Sequence, residues 1–355
     1  MELQKLGVSE QFEQEAARYG ELFLARVSEQ HHDLYTVISE RGELQARVSG
    51  KLAYHAAGNT DFPAVGDWVM IDRKDDSAGT AIIHHILQRK SVFARKAAGT
   101  GKANQIIAAN IDIVFICMSL NADFNLRRLE RYLSIAWDSG AVPVVALTKA
   151  DLCDCLEQRL AAISTVNVGA DVVVCSSKEE MGYQRLVSYS SEGTTMAFIG
   201  SSGVGKSTLI NRMLGQDVLA TKETREDDKG RHTTTHRQLL VLPQGGIVID
   251  TPGMRELQLD SGNLAKSFAD IEELAAQCRF RDCSHTTEPR CAVKKAMEIG
   301  ELAQDRFKNY QKLQKEINYE GLNARTLEQE KIKNMFGSMG EMKQVVNYVK
   351  NKNKR

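Results

Sequence analysis

Eight consecutive residues, Gly200-Ser201-Ser202-Gly203-Val204-Gly205-Lys206-Ser207, fit the pattern G-x-x-x-x-G-K-[ST]. Their types suit one chemistry. Glycines let backbone N–H groups converge on phosphate oxygens, the Lys206 ammonium reaches the β- and γ-phosphates, and the Ser207 hydroxyl binds Mg²⁺. An apolar run, 196–199, precedes the loop, and a Leu- and Ile-rich stretch, 208–214, follows it. A strand, a glycine loop and a helix in that order also give phosphate a helix N-terminus to sit on, with Thr208 in its first turn.

Thr148-Lys149-Ala150-Asp151 follows another apolar run, 142–147. A carboxylate at Asp151 would accept hydrogen bonds from guanine N1–H and its 2-amino group. Adenine offers neither donor, so it would leave the acceptor unpaired. Lys149 would lie along the base and brace the phosphate loop. Read alone, the quartet also suits a helix N-cap by Asp151. Cys175-Ser176-Ser177-Lys178 closes the run 172–175 and would bring Ser176 and Ser177 to the O6 edge of guanine, or serve as an ordinary helix cap. Asp250-Thr251-Pro252-Gly253 would hold Mg²⁺ through water at Asp250 and sense a γ-phosphate with the Gly253 N–H; read alone it is a Pro-Gly turn. The polar stretch 216–235 ends Gly230-Arg231-His232-Thr233-Thr234-Thr235. One threonine there would complete the Mg²⁺ shell beside Ser207 and Asp250, Thr234 before Thr233. Met254 stands after Gly253, where a water-orienting Gln is common, and a thioether cannot orient water. The reacting groups expected are therefore Lys206, Thr234 and His232, the last turning in to orient the attacking water. Unassisted turnover is expected at about 10⁻⁴–10⁻³ s⁻¹.

Cys278, Cys283, His285 and Cys291 have the spacing C-x₄-C-x-H-x₅-C. Three thiolates and one imidazole complete a tetrahedral set with no open position, which suits one structural Zn²⁺ ion. Arg279, Arg281, Arg290, Lys294 and Lys295 surround it, either to meet phosphates or to solvate a small region.

The elements that must position these groups fall into three textures. Runs at 22–27, 34–38, 44–48, 68–71 and 81–86 read as five short strands with glycine turns between them, the strand count of an OB-fold barrel. From residue 111 apolar runs at 111–118, 142–147, 172–175 and 196–199 alternate with helical stretches, one of them capped by Asn125, giving a parallel sheet covered on both faces. Runs 238–242 and 246–250 read as a hairpin in that sheet. Beyond residue 262 strand signals end, and Phe307, Tyr310, Leu313 and Ile317 recur at helical spacing. The expected division is residues 1–98, an N-terminal helix and RNA-binding barrel; 99–262, an α/β nucleotide-binding domain; and 263–355, a helical zinc-binding region with a basic tail.

Lys+Arg and Asp+Glu both total 46, so the chain is no uniformly basic nucleic-acid coat. No run reaches the ~18 apolar residues of a membrane span. A basic-then-apolar leader is missing from residues 1–14, so a cytoplasmic protein without membrane contact is expected. Seven cysteines suit free thiols and a metal site in a reducing compartment. The five barrel histidines, His31, His32, His55, His84 and His85, are RNA contacts or scattered surface residues, and the tail 343–355 is an RNA arm or a solvated end.

Base recognition precedes the phosphate loop here, the reverse of the usual GTPase order, so the α/β domain reads as circularly permuted. The switch segment at Asp250 then runs directly into the C-terminal region, which loss of γ-phosphate would shift as a body. That order, the barrel, Val65-Gly66-Asp67, Ala109-Asn110-Ile111-Asp112, residues 230–234 and the cysteine–histidine cluster resemble the ribosome small subunit-dependent GTPase A family from about residue 20 to 320. The resemblance implies a late-acting assembly factor that binds the small ribosomal subunit and its rRNA through barrel and zinc region. It also implies GTP hydrolysis to GDP and phosphate under stimulation by the subunit. A monomeric chain is expected. Two features depart from the family pattern: Gln88 stands where Pro is expected before Arg89, and the tail beyond Gly321 is long. Thr148 stands where the usual GTPase form has Asn, which points to modest nucleotide affinity. Competing readings are an RNA-binding module with a vestigial nucleotide switch, a small-molecule P-loop kinase, and a permuted GTPase of the large subunit.

Overall fold

The computed structural model describes residues 2–75, 79–96, 104–167, 169–176, 182–219, 238–250 and 264–320. Period-two patterning in the first hundred residues produces the five expected strands: β1 (Phe23–His31), β2 (Leu34–Ser39), β3 (Gly42–Val48), β4 (Trp68–Ile71) and β5 (Ala81–Ile86). Their order is β1-β2-β3-β5-β4, and β4 pairs back onto β1, closing the barrel. On β3, Leu44 and Ala46 point inward while Glu43, Gln45 and Arg47 face solvent, as a half-buried strand requires. Val27, Tyr35, Val37, Val69, Ile71 and Ile83 fill the interior with them. The N-terminal helix α1 (Glu10–Ala16) buries Phe12 against Trp68, ring centroids 5.8 Å apart. A short helix, α2 (Gly50–His55), joins β3 to β4 behind its Ser49 cap.

Two strands that no sequence pattern announced follow the barrel. β6 (Val92–Lys96) and β7 (Asn104–Ala109) pair antiparallel as a separate sheet. The alternating α/β part then runs β8 (Ile113–Ser119), α3 (Leu126–Ser139), β9 (Val142–Thr148), α4 (Leu156–Ser164), β10 (Asp171–Val174), α5 (Tyr183–Val187), β11 (Thr195–Ile199), α6 (Lys206–Leu214), β12 (Gln238–Val241) and β13 (Ile247–Asp250). Its order is β10-β9-β8-β11-β13-β12. All neighbours pair parallel except β12 and β13, which form the expected antiparallel hairpin. α3 begins where Asn125 accepts the Arg128 N–H and ends at left-handed Gly140. Both faces of the sheet are apolar: every β11 residue is buried.

The barrel and the α/β sheet form one compact unit, Met1–Gln258 with Ala265–Ser267. A single β12–β1 pairing, Gln238 with Glu29, makes their strands continuous. A deeper tie is the fully buried Arg26 of β1. Its guanidinium donates to the carbonyls of Leu6, Gly66 and Asn110 and, over 2.9 Å, to Thr195 Oγ1 at the start of β11. It also lies 5.4 Å from the Trp68 ring centroid. Burial draws its pKa down to about 10, with Asp112 and Asp67 opposing, so it stays charged at neutral pH. Gly66 and Asn110, sequence features without an evident task, belong to this junction. A Cβ on Gly66 would lie 2.2 Å from the Ala109 carbonyl oxygen, and Asn110 spans Gly66 O and Lys90 N through its side chain. Asp67 is completely buried and pairs with Arg89 through both oxygens. Burial raises its pKa and the Arg89 bonds draw it back. Gln88, where Pro was expected, uses its N–H on the Glu15 carboxylate, a bond proline cannot make. Arg26→Met should therefore lower stability by about 3–5 kcal/mol, because it strands the Leu6 and Asn110 carbonyls and the Thr195 hydroxyl in a buried site and leaves Gly66 O to Asn110 alone. Urea unfolding checks this; a loss under ~1 kcal/mol would mean water replaces the guanidinium.

The second compact unit comprises Leu259–Leu264 and Phe268–Arg355. Among its described residues, α7 (Ala269–Ala276), α8 (Ala292–Glu298) and α9 (Gln304–Glu320) pack Phe268, Ile271, Val293, Leu302, Phe307, Tyr310 and Leu313. The helical spacing of Phe307, Tyr310 and Leu313 thus marks the buried face, as their periodicity predicted. Arg306 grips both Asp270 oxygens at 2.7–2.8 Å. No described helix is long and apolar enough to cross a membrane.

Candidate functional site

In a parallel sheet, ligands bind beyond the carboxyl ends of the strands, where the strand order reverses. Here the chain lays β8, β9 and β10 outward in one direction and β11 and β13 in the other. The ends of β9, β10, β11 and β13 carry Thr148, Ser176, Gly200 and Asp250, so residues of four sequence motifs reach one edge of the sheet.

The phosphate loop leaves β11 at Gly200, whose φ is +142°. A Cβ there would lie 2.3 Å from the Cys117 carbonyl oxygen on β8, so only glycine fits. The loop then wraps Lys206, whose Nζ donates to the carbonyls of Gly200 (2.8 Å) and Ser201 (2.7 Å). Val204 anchors the loop in the core. Ser202 and Gly203 are exposed, Ser207 is half-buried, and Thr208 is exposed on the first turn of α6.

Buried Thr148 donates its hydroxyl to the Val204 carbonyl at 2.5 Å. The residue that stands where the usual GTPase form has Asn thus ties the end of β9 to the 200–207 loop. Lys149 follows in a left-handed conformation, φ +58°, and turns the chain into a 3₁₀ turn at Ala150–Leu152. Asp151 accepts the hydroxyl of buried Ser176 at 2.7 Å, and the Ala150 N–H reaches the Cys175 carbonyl. The helix-cap alternative for Asp151 does not hold: α4 starts later, at its Cys155 cap. Two segments 25 residues apart in sequence thus present an exposed carboxylate braced by a buried hydroxyl.

Asp250 ends β13 beside β11. Burial raises its pKa and Lys206 draws it back. A cation near Asp250 would favour the charged carboxylate, which fits an Mg²⁺ site shared with Ser207. Burial also pushes the thiols of Cys117 and Cys175 up to about 12, so neither is a nucleophile near neutral pH. Ser177, His232, Thr233, Thr234, Gly253, Met254 and the basic tail lie outside the described residues.

In the second unit, one atom from each of Cys278, Cys283, His285 and Cys291 lies within 4.8 Å of all the others. His285 Nδ1 is 3.6 Å from Cys278 Sγ and 3.4 Å from Cys291 Sγ, and the two sulfurs are 3.8 Å apart. A tetrahedral ion with bonds of about 2.3 Å to sulfur sets ligands at about this spacing, so the four residues fit one metal ion. The loop is shaped for them. His285 and Arg290 adopt left-handed backbone, and Glu288 accepts the Ser284 hydroxyl and the N–H groups of Ser284, Thr286 and Thr287. Those bonds, the Ser284 hydroxyl foremost, hold the Glu288 carboxyl down at about 2. Cys291 is buried and caps α8 through the Lys294 N–H. Phe307 meets the His285 ring edge-on.

Comparison with known proteins agrees with this arrangement. Residues 86–260 match the family model described as RsgA GTPase. The small ribosomal subunit biogenesis GTPase RsgA 2 of Lactiplantibacillus plantarum is 55% identical over 96% of this chain and 96% of its own length. The protein of that name from Vibrio parahaemolyticus is 43% identical over 95% and 91%. Among solved structures, YjeQ from Thermotoga maritima superposes with a TM-score of 0.61 at 27% identity, covering 83% of this chain and 98% of YjeQ. YloQ, described as a circularly permuted GTPase, gives 0.58 at 26% identity over 84% and 96%. With the 200–207 loop placed after the strand that carries Thr148, a closed five-stranded barrel before it and a cysteine–histidine cluster after it, the chain belongs to the RsgA GTPase family and is a GTP hydrolase.

Proposed function

We propose that this GTPase binds the small ribosomal subunit late in its assembly and hydrolyses GTP there. The convergence of four strand ends on one edge carries the reading, with Thr148 bonded to the phosphate loop and Asp151 bonded to Ser176. The base is read by Asp151 with Lys149, Ser176 and Ser177. Residues Gly200 to Thr208 cradle the phosphates, and Gly253 senses the last of them. Ser207, Thr234 and, through water, Asp250 would hold Mg²⁺, which would supply charge neutralisation for the phosphates. Water attacks in line, and Lys206 stabilises charge on the transferred group. His232 orients the water, since no Gln follows Gly253. Cys278, Cys283, His285 and Cys291 would hold Zn²⁺ in a structural role, because three thiolates and a histidine leave no open position.

The functional division follows residues 1–98, 99–262 and 263–355, with barrel and zinc region as the rRNA-contacting parts of a monomeric, cytoplasmic protein. The relatives named for small-subunit biogenesis match nearly the whole chain, both outer regions included. The test is sedimentation of the full chain with separated ribosomal subunits in GDP or a non-hydrolysable GTP analogue, alongside phosphate release. Small-subunit binding favoured by the analogue is expected, with GTP turnover raised at least tenfold, well inside the range partners produce. Equal affinity for both subunits, or unchanged turnover at saturating subunit, would remove the assignment.

A further inference from the structure

The phosphate loop is fastened at a point the nucleotide chemistry does not explain. Arg128, on the first turn of α3, donates from Nη1 to the hydroxyl of Ser201, 73 residues away in sequence. The same nitrogen reaches Asp123 Oδ2 at 2.8 Å. We propose that Arg128 is a positioning residue for GTP binding: through Ser201 it holds the phosphate loop in its binding shape before nucleotide arrives. This rests on the nucleotide site proposed above.

Three observations support it. First, the segment that presents Arg128 is itself fixed. Asn121 accepts the Ser119 hydroxyl at 2.9 Å and the Asp123 N–H at 3.0 Å, and Asn125 caps α3 at the Arg128 N–H. Second, the ion pair with Asp123 is about one-third exposed on each side, 32% and 40%. Pairs so exposed contribute little energy. What Asp123 supplies is direction: a planar guanidinium has five N–H donors in a fixed fork, and one carboxylate suffices to aim it. Third, the pinning pattern matches the loop's task. Arg128 holds Ser201 from α3, and Thr148 holds Val204 from β9. Ser202 and Gly203, between the pins, are the exposed residues of the loop. Their N–H groups thus meet phosphate from a segment fixed at both ends, which lowers the ordering cost of binding.

Lys206 also grips Ser201, at its carbonyl. That ammonium serves the phosphates as well, whereas the Arg128 contact acts on the side chain. The two grips are therefore separable by mutation.

The experiment measures the affinity and dissociation rate of a fluorescent GDP, and steady-state GTP turnover, on the full chain. Arg128→Gln shortens the side chain and removes both the charge and the fork of donors that reaches Ser201. It should weaken GDP binding about tenfold, chiefly through faster release, and raise KM for GTP while affecting kcat much less. Ser201→Ala should do the same, and the double variant should be no weaker than either single one. Arg128→Lys, which retains a charged donor, should recover part of the affinity. Wild-type affinity in Arg128→Gln, or losses that add in the double variant, would overturn the proposal. So would a fall in kcat with KM unchanged, which would place Arg128 on the transition state. If the wild-type chain bound no guanine nucleotide, the site itself would have been misread, a separate and distinguishable result.

Discussion

Lys206→Ala is expected to lower GTP hydrolysis by about 10³-fold, with or without the ribosomal subunit, while the fold persists. Two losses combine in that number. In the proposed mechanism the ammonium stabilises charge on the transferred phosphoryl group, and it donates to the loop carbonyls of Gly200 and Ser201. The same ammonium offsets the burial that raises the Asp250 carboxyl. Without it, Asp250 is a poorer partner for Mg²⁺, so the metal-assisted part of catalysis falls as well. The fold should persist because Lys206 is only half-buried and its neighbours Val204, Leu209 and Ile210 carry the packing. Single-turnover phosphate release measures the effect, and far-UV circular dichroism controls for folding. Activity within tenfold of wild type would show that the loop does not hold the reacting phosphate. Arg at this position should not rescue, since a planar fork cannot occupy the curl that Gly200 and Ser201 form around a point charge.

What the sequence revealed and what it concealed follow one physical rule: local periodicity and motif spacing are legible, partners across the chain are not. The five barrel strands stood out because glycine turns bound short alternating runs, and the Asn125 cap because an amphipathic stretch followed it. The β6–β7 pair did not. Its strands carry small and basic residues such as Ala94, Arg95, Ala108 and Ala109, and β7 is buried by its setting near the junction. Arg26, the buried tie between barrel and sheet, and Arg128, which only the fold brings to Ser201, belong to no motif and no spacing that marks them. The site was legible wherever chemistry demands a fixed spacing, as in residues 200–207 and the cysteine–histidine set. It was half legible at Thr148 and Asp151, whose tasks depended on knowing that Val204 and Ser176 stand opposite. Thr148 shows the limit well. A hydroxyl in place of the usual amide is readable from the sequence; that it bonds the Val204 carbonyl is not.

Removal of the metal ion should have the largest effect on stability, and it should be confined to the second unit. The described part of that unit buries few large apolar side chains beyond Phe268, Ile271, Leu302, Phe307, Tyr310 and Leu313. A core of that size leaves a small domain near the threshold of folding. A closed set of three thiolates and one imidazole contributes on the order of 10 kcal/mol when its ion binds, and this energy is folding energy where no site exists in the unfolded chain. Here the ligand loop depends on the ion directly. His285 and Arg290 hold left-handed backbone that side chains disfavour, and Cys291 both completes the ligand set and starts α8. The purified chain should therefore carry one zinc ion per molecule. A strong chelator, or Cys291→Ser, should abolish the helical signal and slow amide exchange of α7, α8 and α9 while β1 to β13 keep theirs. Cys153→Ser, a change at a half-buried cysteine outside the set, should leave both intact. Hydrogen exchange read by mass spectrometry separates the units in one experiment. Equal protection of α8 and α9 with and without zinc would mean that their apolar contacts suffice and that the ion is dispensable to the fold.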